Sequence, residues 1–326
     1  ALRWCVDTRG GMGGMRDPDL SVVIVSWNVR DLLAACLDSL AADLARSRLA
    51  GEVIVVDNGS RDGTVELLRT GYPWVRLVAL GENRGFAAAN NLGIAQSRGR
   101  AVLLLNPDTE LRPGALAWLW RALWAAPHVG LVGARLLNPD GSLQSAGYRF
   151  PGYVQNLLDF FPVHPRLVGS RLNGRFGPGD GLSPFAVDHP LGACMLVRRA
   201  VVEEVGGLDE GYRYYSEEID WCRRIRAAGW TVLTAPAAQV VHHAGGSTRQ
   251  VARESFLELH RSRARYFRRW HGPAFVRRLA RLAELAAAWA ALRARLSRRP
   301  DLAERTRLWS EVAAIYRNAA ACHEPT

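Results

Sequence analysis

The sequence predicts an α/β fold with a mostly parallel central sheet, followed by a helical extension at the C-terminus. Short apolar runs alternate with helical patterns over residues 21–105. Such continuous apolar runs are typical of strands in a parallel sheet that helices cover on both faces. From about residue 248 onward the pattern is helical, with breaks at Gly272-Pro273 and at Pro300. The chain therefore divides into a sheet-containing body and a helical tail.

The elements of the first half of the body follow one another at the spacing of β-α-β units. Apolar, β-branched runs predict strands over residues 21–26, 52–56, 74–80 and 101–105. Apolar periodicity predicts intervening helices over residues 32–40, from residue 64, and over residues 85–96. Right-handed crossovers bring the carboxyl ends of such strands to one edge of the sheet, where ligands bind in this class of fold.

The second half of the body is less regular. Gly, Pro and Asn recur over residues 138–189, which predicts a long loop-rich region of the kind that often binds a ligand or covers a site. Regular structure resumes over residues 191–198. After it, we predict a helix over residues 217–228 and strands over residues 231–234 and 239–241.

The positive charge of the chain is concentrated in the tail. All 42 basic residues are arginine, and 31 acidic residues leave a formal net charge of +11. Residues 249–326 hold 17 arginines and 7 acidic residues, a net charge of +10. A nucleic-acid-binding body would carry positive charge across its own surface, so we predict no nucleic-acid partner. Binding of DNA or RNA by the tail alone is the alternative.

Cysteine spacing and hydropathy indicate the compartment. The five cysteines lie at long, irregular spacings without a CxxC pair, which argues against a zinc site or disulfide framework and favours a reducing cytosol. No run of about 18 uncharged apolar residues exists, so we expect no membrane-spanning helix. Residues 1–19 lack the apolar core of a secretory signal, and we expect a loose leader there.

Polar residues follow two of the predicted strands at the ligand-binding edge. Asp57 ends the second strand, where a carboxylate can accept hydrogen bonds from a nucleobase imide or a ribose hydroxyl, or serve only as a turn or helix cap. Asn106-Pro107-Asp108 follows the fourth strand. Asp108 is placed either to bind a divalent cation that also holds a diphosphate, or to form an ordinary turn.

Two later segments carry titratable side chains. Glu217, Glu218 and Asp220 open a predicted helix, where they could cap the helix dipole or supply a general base. His242 and His243 follow a predicted strand. Because neighbouring strand residues point to opposite faces, at most one of the two histidines faces the site, as a metal ligand, a diphosphate contact or a purely structural residue.

Seven segments of the sequence form an ordered set: VIVSWN (23–28), VVDNGSRDGT (55–64), ENRGFAAANNLGI (82–94), LLLNPDTEL (103–111), GACMLVRR (192–199), GGLDEGYRYYSEEIDWCRRIRAAGW (206–230) and VVHHAGGS (240–247). In this order they resemble motifs of glycosyltransferase family 2, the inverting GT-A-fold enzymes that use nucleotide sugars. Each segment is weak evidence alone, but seven in sequence are specific. The branch looks like the bacterial rhamnosyltransferase-like enzymes of cell-surface polysaccharide assembly.

The resemblance implies a GT-A nucleotide-binding sandwich over residues 20–248, divided into a nucleotide-binding half (20–110) and an acceptor half (111–248). It implies nucleotide contacts from Ser26, Asn28, Asp57, Asn83, Arg84, Gly85 and Asn106. Asp108 and His242 would bind Mg²⁺ or Mn²⁺. Glu218 would be the catalytic base, with Glu217 as its rival and Asp220 in the same segment.

Two positions depart from the family pattern. Asn106 stands where the first carboxylate of the DxD motif lies, which leaves fewer acids for the metal. Glu218 stands where Asp is commoner.

The activity implied is transfer of a sugar, with inversion, from a nucleotide-diphosphate donor to a saccharide or lipid-linked acceptor. dTDP-rhamnose is the first donor to test and UDP-hexoses come second. A non-catalytic nucleotide-sugar-binding protein of the same fold is the alternative.

The tail, residues 249–326, is a basic amphipathic segment. Arginines are interleaved with aromatic residues, and apolar residues recur near helical spacing at Phe275, Leu279, Leu282, Trp289, Leu292 and Leu296. Arginine and aromatic side chains favour the headgroup region of a bilayer. We therefore expect peripheral docking on an anionic membrane at its cytoplasmic face, with a helix packed on the body as the alternative.

Overall fold

The structure, a computed structural model, describes residues 17–161, 164–244, 252–297 and 300–321. Residues 1–16 of the predicted leader and the glycines at 245 and 246 lie outside the described residues. The chain forms two compact units. Within the described ranges, unit 1 takes in 1–149, 176–210 and 218–250, and unit 2 takes in 150–175, 211–217 and 251–326. The domain boundaries expected from sequence stay a prediction.

Unit 1 is built on one sheet, which has ten strands in the described part of the chain. They are β1 (Leu20–Ser26), β2 (Gly51–Asp57), β3 (Arg76–Ala79), β4 (Ala101–Leu105), β5 (Thr109–Leu111), β6 (Val129–Leu137), β7 (Leu143–Ser145), β8 (Phe185–Ala186), β9 (Cys194–Arg198) and β10 (Thr231–His242). Their order is β3-β2-β1-β4-β9-β6-β10-β5, with β7 on β6 and β8 on β10.

Strand direction changes halfway across this sheet. Strands β3, β2, β1 and β4 run parallel, as their apolar runs predict. Strand β9 then lies antiparallel between β4 and β6, while β10 runs parallel to β6. Because β9 follows the long loop-rich region rather than a single crossover helix, the β-α-β rule does not set its direction. The predicted α/β fold with a central sheet is confirmed, and its second half is mixed.

Six helices of the described chain flank the sheet: α1 (Arg30–Ser47), α2 (Thr64–Gly71), α3 (Phe86–Gln96), α4 (Ala115–Leu123), α7 (Arg199–Val205) and α8 (Glu217–Ala227). Apolar residues four and three apart on α1, Leu33, Leu37 and Leu40, are fully buried in the core. Helix α3 lies so close to β1 that a Cβ atom added at Gly93 would be 2.3 Å from Val23 Cγ1.

Helix α4 and the short strand β5 before it are elements that the sequence pattern does not reveal. Helix α4 has no capping side chain of its own. Its amino-terminal N–H groups are instead satisfied by the buried carboxylate of Asp43 on α1, which accepts a 2.8 Å hydrogen bond from Leu116 N. Because the capping residue lies 73 positions earlier in the sequence, the residues just before α4 carry no capping pattern that would predict the start of the helix.

Unit 2 is helical. It contains α5 (Tyr153–Phe160), α6 (Pro165–Val168), a 3₁₀ turn (Arg171–Asn173), α9 (Ala252–Ser297) and α10 (Pro300–Ala321). The predicted breaks are confirmed, because Gly272 has non-helical angles (φ 79°, ψ 171°) and α10 begins at Pro300.

A cluster of rings holds α5, α9 and α10 together. Phe160 packs against His260 and Trp309 at centroid distances of 5.6 and 5.0 Å, and Tyr316 is fully buried beside them. Burial lowers the pKa of His260 to about 3, so this ring is neutral. None of the described helices is long and apolar enough to span a bilayer.

Candidate active site

The ends of four strands bring polar residues to one edge of the sheet in unit 1. Ser26 and Asp57 are cross-strand partners at the carboxyl ends of β1 and β2, and Asn106 follows β4. Because β9 is antiparallel to β4, it brings its amino-terminal end to the same edge. There, Asn106 N donates a 2.9 Å hydrogen bond to Ala193 O. The edge predicted from the β-α-β spacing is therefore where these residues meet.

Asp57 and Ser26 present hydrogen-bonding oxygens at this edge. The carboxylate of Asp57 is buried, and its Oδ2 accepts a 3.0 Å hydrogen bond from Ser60 N. Its Oδ1 and the Ser26 hydroxyl are buried without a hydrogen-bond partner in the described structure. Helix α2 begins after Gly63, so Asp57 does not cap it. A buried acceptor without a partner costs about 1–3 kcal/mol, which a bound donor group would recover.

The segment Asn83–Gly85 is held against the end of β2 by Asn58. The Asn58 amide nitrogen donates to Asn83 Oδ1 (3.1 Å) and to Gly85 O (3.2 Å), and its oxygen accepts from Arg84 N (2.9 Å). Arg84 itself is exposed. Asn58 is not among the site residues expected from the sequence, although an amide with both donor and acceptor capacity directly after a strand-end acid is the available signal.

Asn28 organises the neighbouring loops. Its backbone is left-handed (φ 52°), its N–H donates to Ser60 Oγ at 3.0 Å, and its Oδ1 accepts from Arg61 N at 2.7 Å. These contacts join the loop after β1 to the loop after β2. Asn28 therefore shapes the rim around Asp57 through the side chain of Ser60 and the backbone of Arg61.

Asp108 and His242 lie side by side at the same edge. Strands β5 and β10 pair antiparallel with Thr109 opposite His242, and His243 N donates to Asp108 O at 2.9 Å. His242 Nε2 is 3.4 Å from Asp108 Oδ1, and both side chains are 9% exposed. His243 points the other way, with Nε2 2.6 Å from Glu110 Oε1. Of the two histidines, His242 faces Asp108, as strand alternation requires.

These residues suit a cation that is shared with a substrate. Asn106 Oδ1 is buried without a hydrogen-bond partner in the described structure, two residues before Asp108. No group of three or more His, Cys, Asp or Glu side chains in the described chain could hold a metal alone. Hard divalent cations are commonly held by one or two carboxylates together with substrate phosphates. Asn106, Asp108 and His242 fit that kind of site.

The carboxylates of α8 differ in their surroundings. Glu217 and Glu218 begin the helix and are 6% and 9% exposed. Glu218 reaches the sheet edge, since a Cβ added at Gly192 would lie 3.5 Å from its Cβ and Cγ atoms. Asp220 is fully buried and accepts a 2.9 Å hydrogen bond from Arg224, which also donates to the carbonyl groups of Val205 and Gly207.

The chain segment that leads into α8 is strained. Tyr215 and Ser216 are consecutive non-glycine residues in the left-handed region, with φ values of 68° and 66°. Each such residue costs of order 1–3 kcal/mol, and residues of this kind cluster at functional sites. These two residues come immediately before the two glutamates that begin α8.

The model of the family "Glycosyl transferase family 2" matches residues 21–206. The N-acetylglucosaminyl-diphospho-decaprenol L-rhamnosyltransferase of Mycobacterium tuberculosis is 34% identical over 245 residues, which are 70% of this chain and 77% of that protein. The O-antigen biosynthesis protein RfbC of Myxococcus xanthus is 32% identical over 241 residues, 71% of this chain and 18% of that protein.

Two solved structures share the fold. One is a mannosyltransferase from Pyrobaculum calidifontis in complex with GDP-Man and Mn²⁺, with a TM-score of 0.55, 19% identity, and coverage of 94% of this chain and 86% of that one. The other is GalNAc-T7 with UDP, GalNAc and Mn²⁺, with a TM-score of 0.54, 16% identity, and coverage of 74% and 48%. The predicted resemblance is confirmed: this chain belongs to glycosyl transferase family 2.

Proposed function

We propose that this glycosyltransferase moves rhamnose from dTDP-rhamnose, with inversion, to an N-acetylglucosaminyl-diphospho-polyprenol acceptor. The observation that carries the proposal is the meeting of Asp57, Asn106, Asp108 and Glu218 at one edge of the sheet. The donor sugar and the lipid-linked acceptor follow the name of the mycobacterial relative, which is similar along most of its length.

The donor nucleotide lies against the ends of β1 and β2 in this proposal. Asp57 Oδ1, which has no hydrogen-bond partner in the described structure, accepts the imide N–H of thymine or uracil. The Ser26 hydroxyl bonds to the nucleoside, and the Asn83–Gly85 segment forms the adjacent wall. The exposed guanidinium of Arg84 is available to the diphosphate, because guanidinium groups pair well with phosphate oxygens.

The cation site is formed by Asp108 and His242, with Asn106 supplying an amide oxygen in place of a carboxylate. An imidazole ligand favours a transition metal over Mg²⁺, which prefers oxygen ligands, so Mn²⁺ is the better candidate. When bound, the cation neutralises charge that builds on the leaving diphosphate.

Glu218 acts as the general base. Its carboxylate accepts the proton of the acceptor hydroxyl as that oxygen attacks the anomeric carbon, and the nucleoside diphosphate leaves from the opposite face. A single displacement of this kind gives inversion without a covalent enzyme intermediate. Asp220, through its ion pair with Arg224, ties α8 to the carbonyl groups of residues 205 and 207 and so positions the helix that carries Glu218.

Glu218→Gln tests the assignment of the base, with Glu217→Gln as the matched control on the same helix turn. General-base catalysis contributes about 10²–10⁴-fold, so we expect kcat to fall by that factor in Glu218→Gln while donor affinity stays unchanged. Glu217→Gln should retain most of the activity. Normal turnover by Glu218→Gln would show that Glu218 is not the general base. Loss of turnover only in Glu217→Gln would assign that role to Glu217.

We also propose that unit 2 docks on an anionic membrane at its cytoplasmic face. The buried face of α9 after Gly272 consists largely of small residues around Leu279 and Leu282, whereas Leu285, Trp289 and Leu292 are 61%, 46% and 54% exposed. These three share their side of the helix with the exposed residues Arg278 and Arg281, by the 3.6-residue period.

Helix α5 extends the exposed apolar surface beside α9. Tyr153 contacts Phe275 with a ring distance of 6.2 Å, and Phe161 contacts Trp289 at 6.1 Å. Val154 and Leu157 on α5 are 51% and 40% exposed. An apolar surface edged by arginines matches the headgroup region of anionic lipid, which is where a polyprenol-linked acceptor resides.

Vesicle flotation of the full chain tests the docking surface. Trp289→Ser should reduce binding to phosphatidylglycerol vesicles. Trp118→Ser is the matched control, because Trp118 of unit 1 is similarly exposed, at 40%. An equal loss of vesicle binding in both variants, or no loss in Trp289→Ser, would show that this surface does not dock on the membrane. Binding to oligonucleotides that exceeds binding to vesicles would instead favour nucleic acid as the partner of the tail.

A further inference from the structure

Gln144 on β7 reaches across the sheet to His242. Its side-chain oxygen Oε1 lies 2.7 Å from His242 Nδ1. Its nitrogen Nε2 donates to His242 O at 3.1 Å and to Asn138 Oδ1 at 3.0 Å. One amide side chain therefore holds both the ring and the backbone of His242.

This network determines which ring nitrogen of His242 carries the proton. The carbonyl oxygen of His242 can only accept a hydrogen bond, so the NH₂ group of Gln144 faces it and Oε1 faces Nδ1. Because Oε1 is only an acceptor, Nδ1 carries the hydrogen. A neutral His242 then has its lone pair on Nε2, the atom that lies 3.4 Å from Asp108 Oδ1.

A lone pair on Nε2 that faces a carboxylate oxygen is suited to a shared cation. Two acceptors cannot hydrogen-bond to each other, whereas a metal ion accepts electron pairs from both. Metal-binding histidines usually donate their other ring N–H to a neighbouring acceptor, which fixes the tautomer and the ring orientation. Gln144 stands in that relation to His242.

The backbone of β7 is irregular at the residue that makes these contacts. In the antiparallel pairing of β6 with β7, Leu136 is opposite Ser145 and Leu137 is opposite Leu143, so Gln144 is the extra residue of a β-bulge. Bulges change the direction of a side chain and are common beside active sites. The turn before it is braced by Asn138, whose Nδ2 donates to Ser142 Oγ at 2.9 Å.

We propose that Gln144 is a positioning residue that makes His242 a metal ligand through Nε2. The proposal rests on the proposed function, in which His242 and Asp108 share a divalent cation. Loss of the acceptor that holds such a ligand typically costs 10–100-fold in metal affinity.

Two substitutions separate this role from simple packing. Methionine in Gln144→Met has a shape similar to glutamine but cannot accept the hydrogen bond from His242 Nδ1–H. Glutamate in Gln144→Glu keeps an oxygen that accepts it. Both variants lose the hydrogen bonds that Gln144 Nε2 donates to Asn138 Oδ1 and His242 O, so both should lose thermal stability.

The measurement is Mn²⁺ affinity of the full chain, from the EPR signal of unbound Mn²⁺, in the presence of dTDP. We expect Gln144→Met to bind Mn²⁺ about 10–100-fold more weakly and Gln144→Glu to bind it like the unmodified protein. Equal weakening in both variants, or none in Gln144→Met, would overturn the proposal.

His242→Ala separates this inference from the proposed function. If His242→Ala binds Mn²⁺ normally, the metal site of the proposed function is wrong and the role of Gln144 falls with it. If His242→Ala weakens Mn²⁺ binding and Gln144→Met does not, the metal site stands and only the role of Gln144 is overturned.

Discussion

Asp57→Asn should change which nucleotide the enzyme binds. In the structure, Oδ2 of Asp57 is occupied by the N–H of Ser60, and Oδ1 is the buried atom without a hydrogen-bond partner in the described structure. The backbone N–H of Ser60 can only donate, so the single side-chain oxygen left by the substitution stays with it. The new NH₂ group then takes the place of Oδ1, and it meets the imide N–H of thymine as donor against donor.

The magnitude follows from the type of hydrogen bond that is lost. A hydrogen bond to a charged group contributes about 1.5–3 kcal/mol, so dTDP and UDP should bind about 10–100-fold more weakly. Cytosine has an acceptor at N3 instead of an N–H group, so CDP should lose much less affinity than dTDP or gain some.

Isothermal titration with dTDP, UDP and CDP measures this change. Asp31→Asn is the control, because the side chain of Asp31 is 88% exposed and lies outside the site. An equal loss of affinity for all three nucleotides, or no loss for dTDP, would refute the contact between Asp57 and the base.

Three further predictions concern the loop, the packing of α3 and the ring cluster of unit 2. Asn58→Ala removes the three hydrogen bonds that hold residues 83–85, so it should lower the Tm and raise the KM for the donor; an unchanged KM would show that this loop does not bind it. Gly93→Ala places a Cβ 2.3 Å from Val23 and should lower the free energy of unfolding in urea by about 1–3 kcal/mol without changing Kd for dTDP. His260 has a folded-state pKa of about 3, below the unfolded value of 6.5, so its contribution to stability is complete above pH 6.5 and declines as the pH falls toward 3. In His260→Phe, the free energy of unfolding in urea should therefore depend less steeply on pH across that range, by on the order of 1 kcal/mol per pH unit. An unchanged slope of this free energy against pH would contradict burial of the neutral ring.

The strand-end residues of the candidate site could be predicted because a parallel sheet leaves few places for them. Once β1, β2 and β4 are recognised, Ser26, Asp57 and Asn106 must lie at one edge. His242 could be chosen over His243 only from the register of β10 with β5, which puts His242 opposite Thr109 and beside Asp108. Sequence alternation alone says that at most one histidine faces the site, and it does not say which.

Residues that act across long sequence separations could not be predicted. Gln144 contacts His242, 98 residues away, from the extra position of a β-bulge. Asn58 fixes a loop 25 residues later. Neither contact leaves a local pattern, because both depend on which strands and loops become neighbours in the folded chain.

The apolar residues of α9 show a different limit of periodicity. Leu279 and Leu282 are buried, but Trp289 and Leu292, which recur at nearly the same spacing, are exposed. Alanines at 283, 286 and 290 take the buried positions instead, since close packing between helices favours small side chains. The periodicity of the large apolar residues alone therefore does not distinguish the buried face of α9 from its exposed face.

The stereochemistry of one turnover tests inverting rhamnosyl transfer most directly. The full chain is incubated with dTDP-rhamnose, Mn²⁺ and N-acetylglucosaminyl-diphospho-polyprenol, and the anomeric configuration of the product is read by NMR. We predict that the unmodified protein forms a rhamnoside with configuration opposite to that of the donor, and that Glu218→Gln forms it about 10²–10⁴-fold more slowly. Retention of configuration, or equal rates for the two proteins, would contradict this prediction.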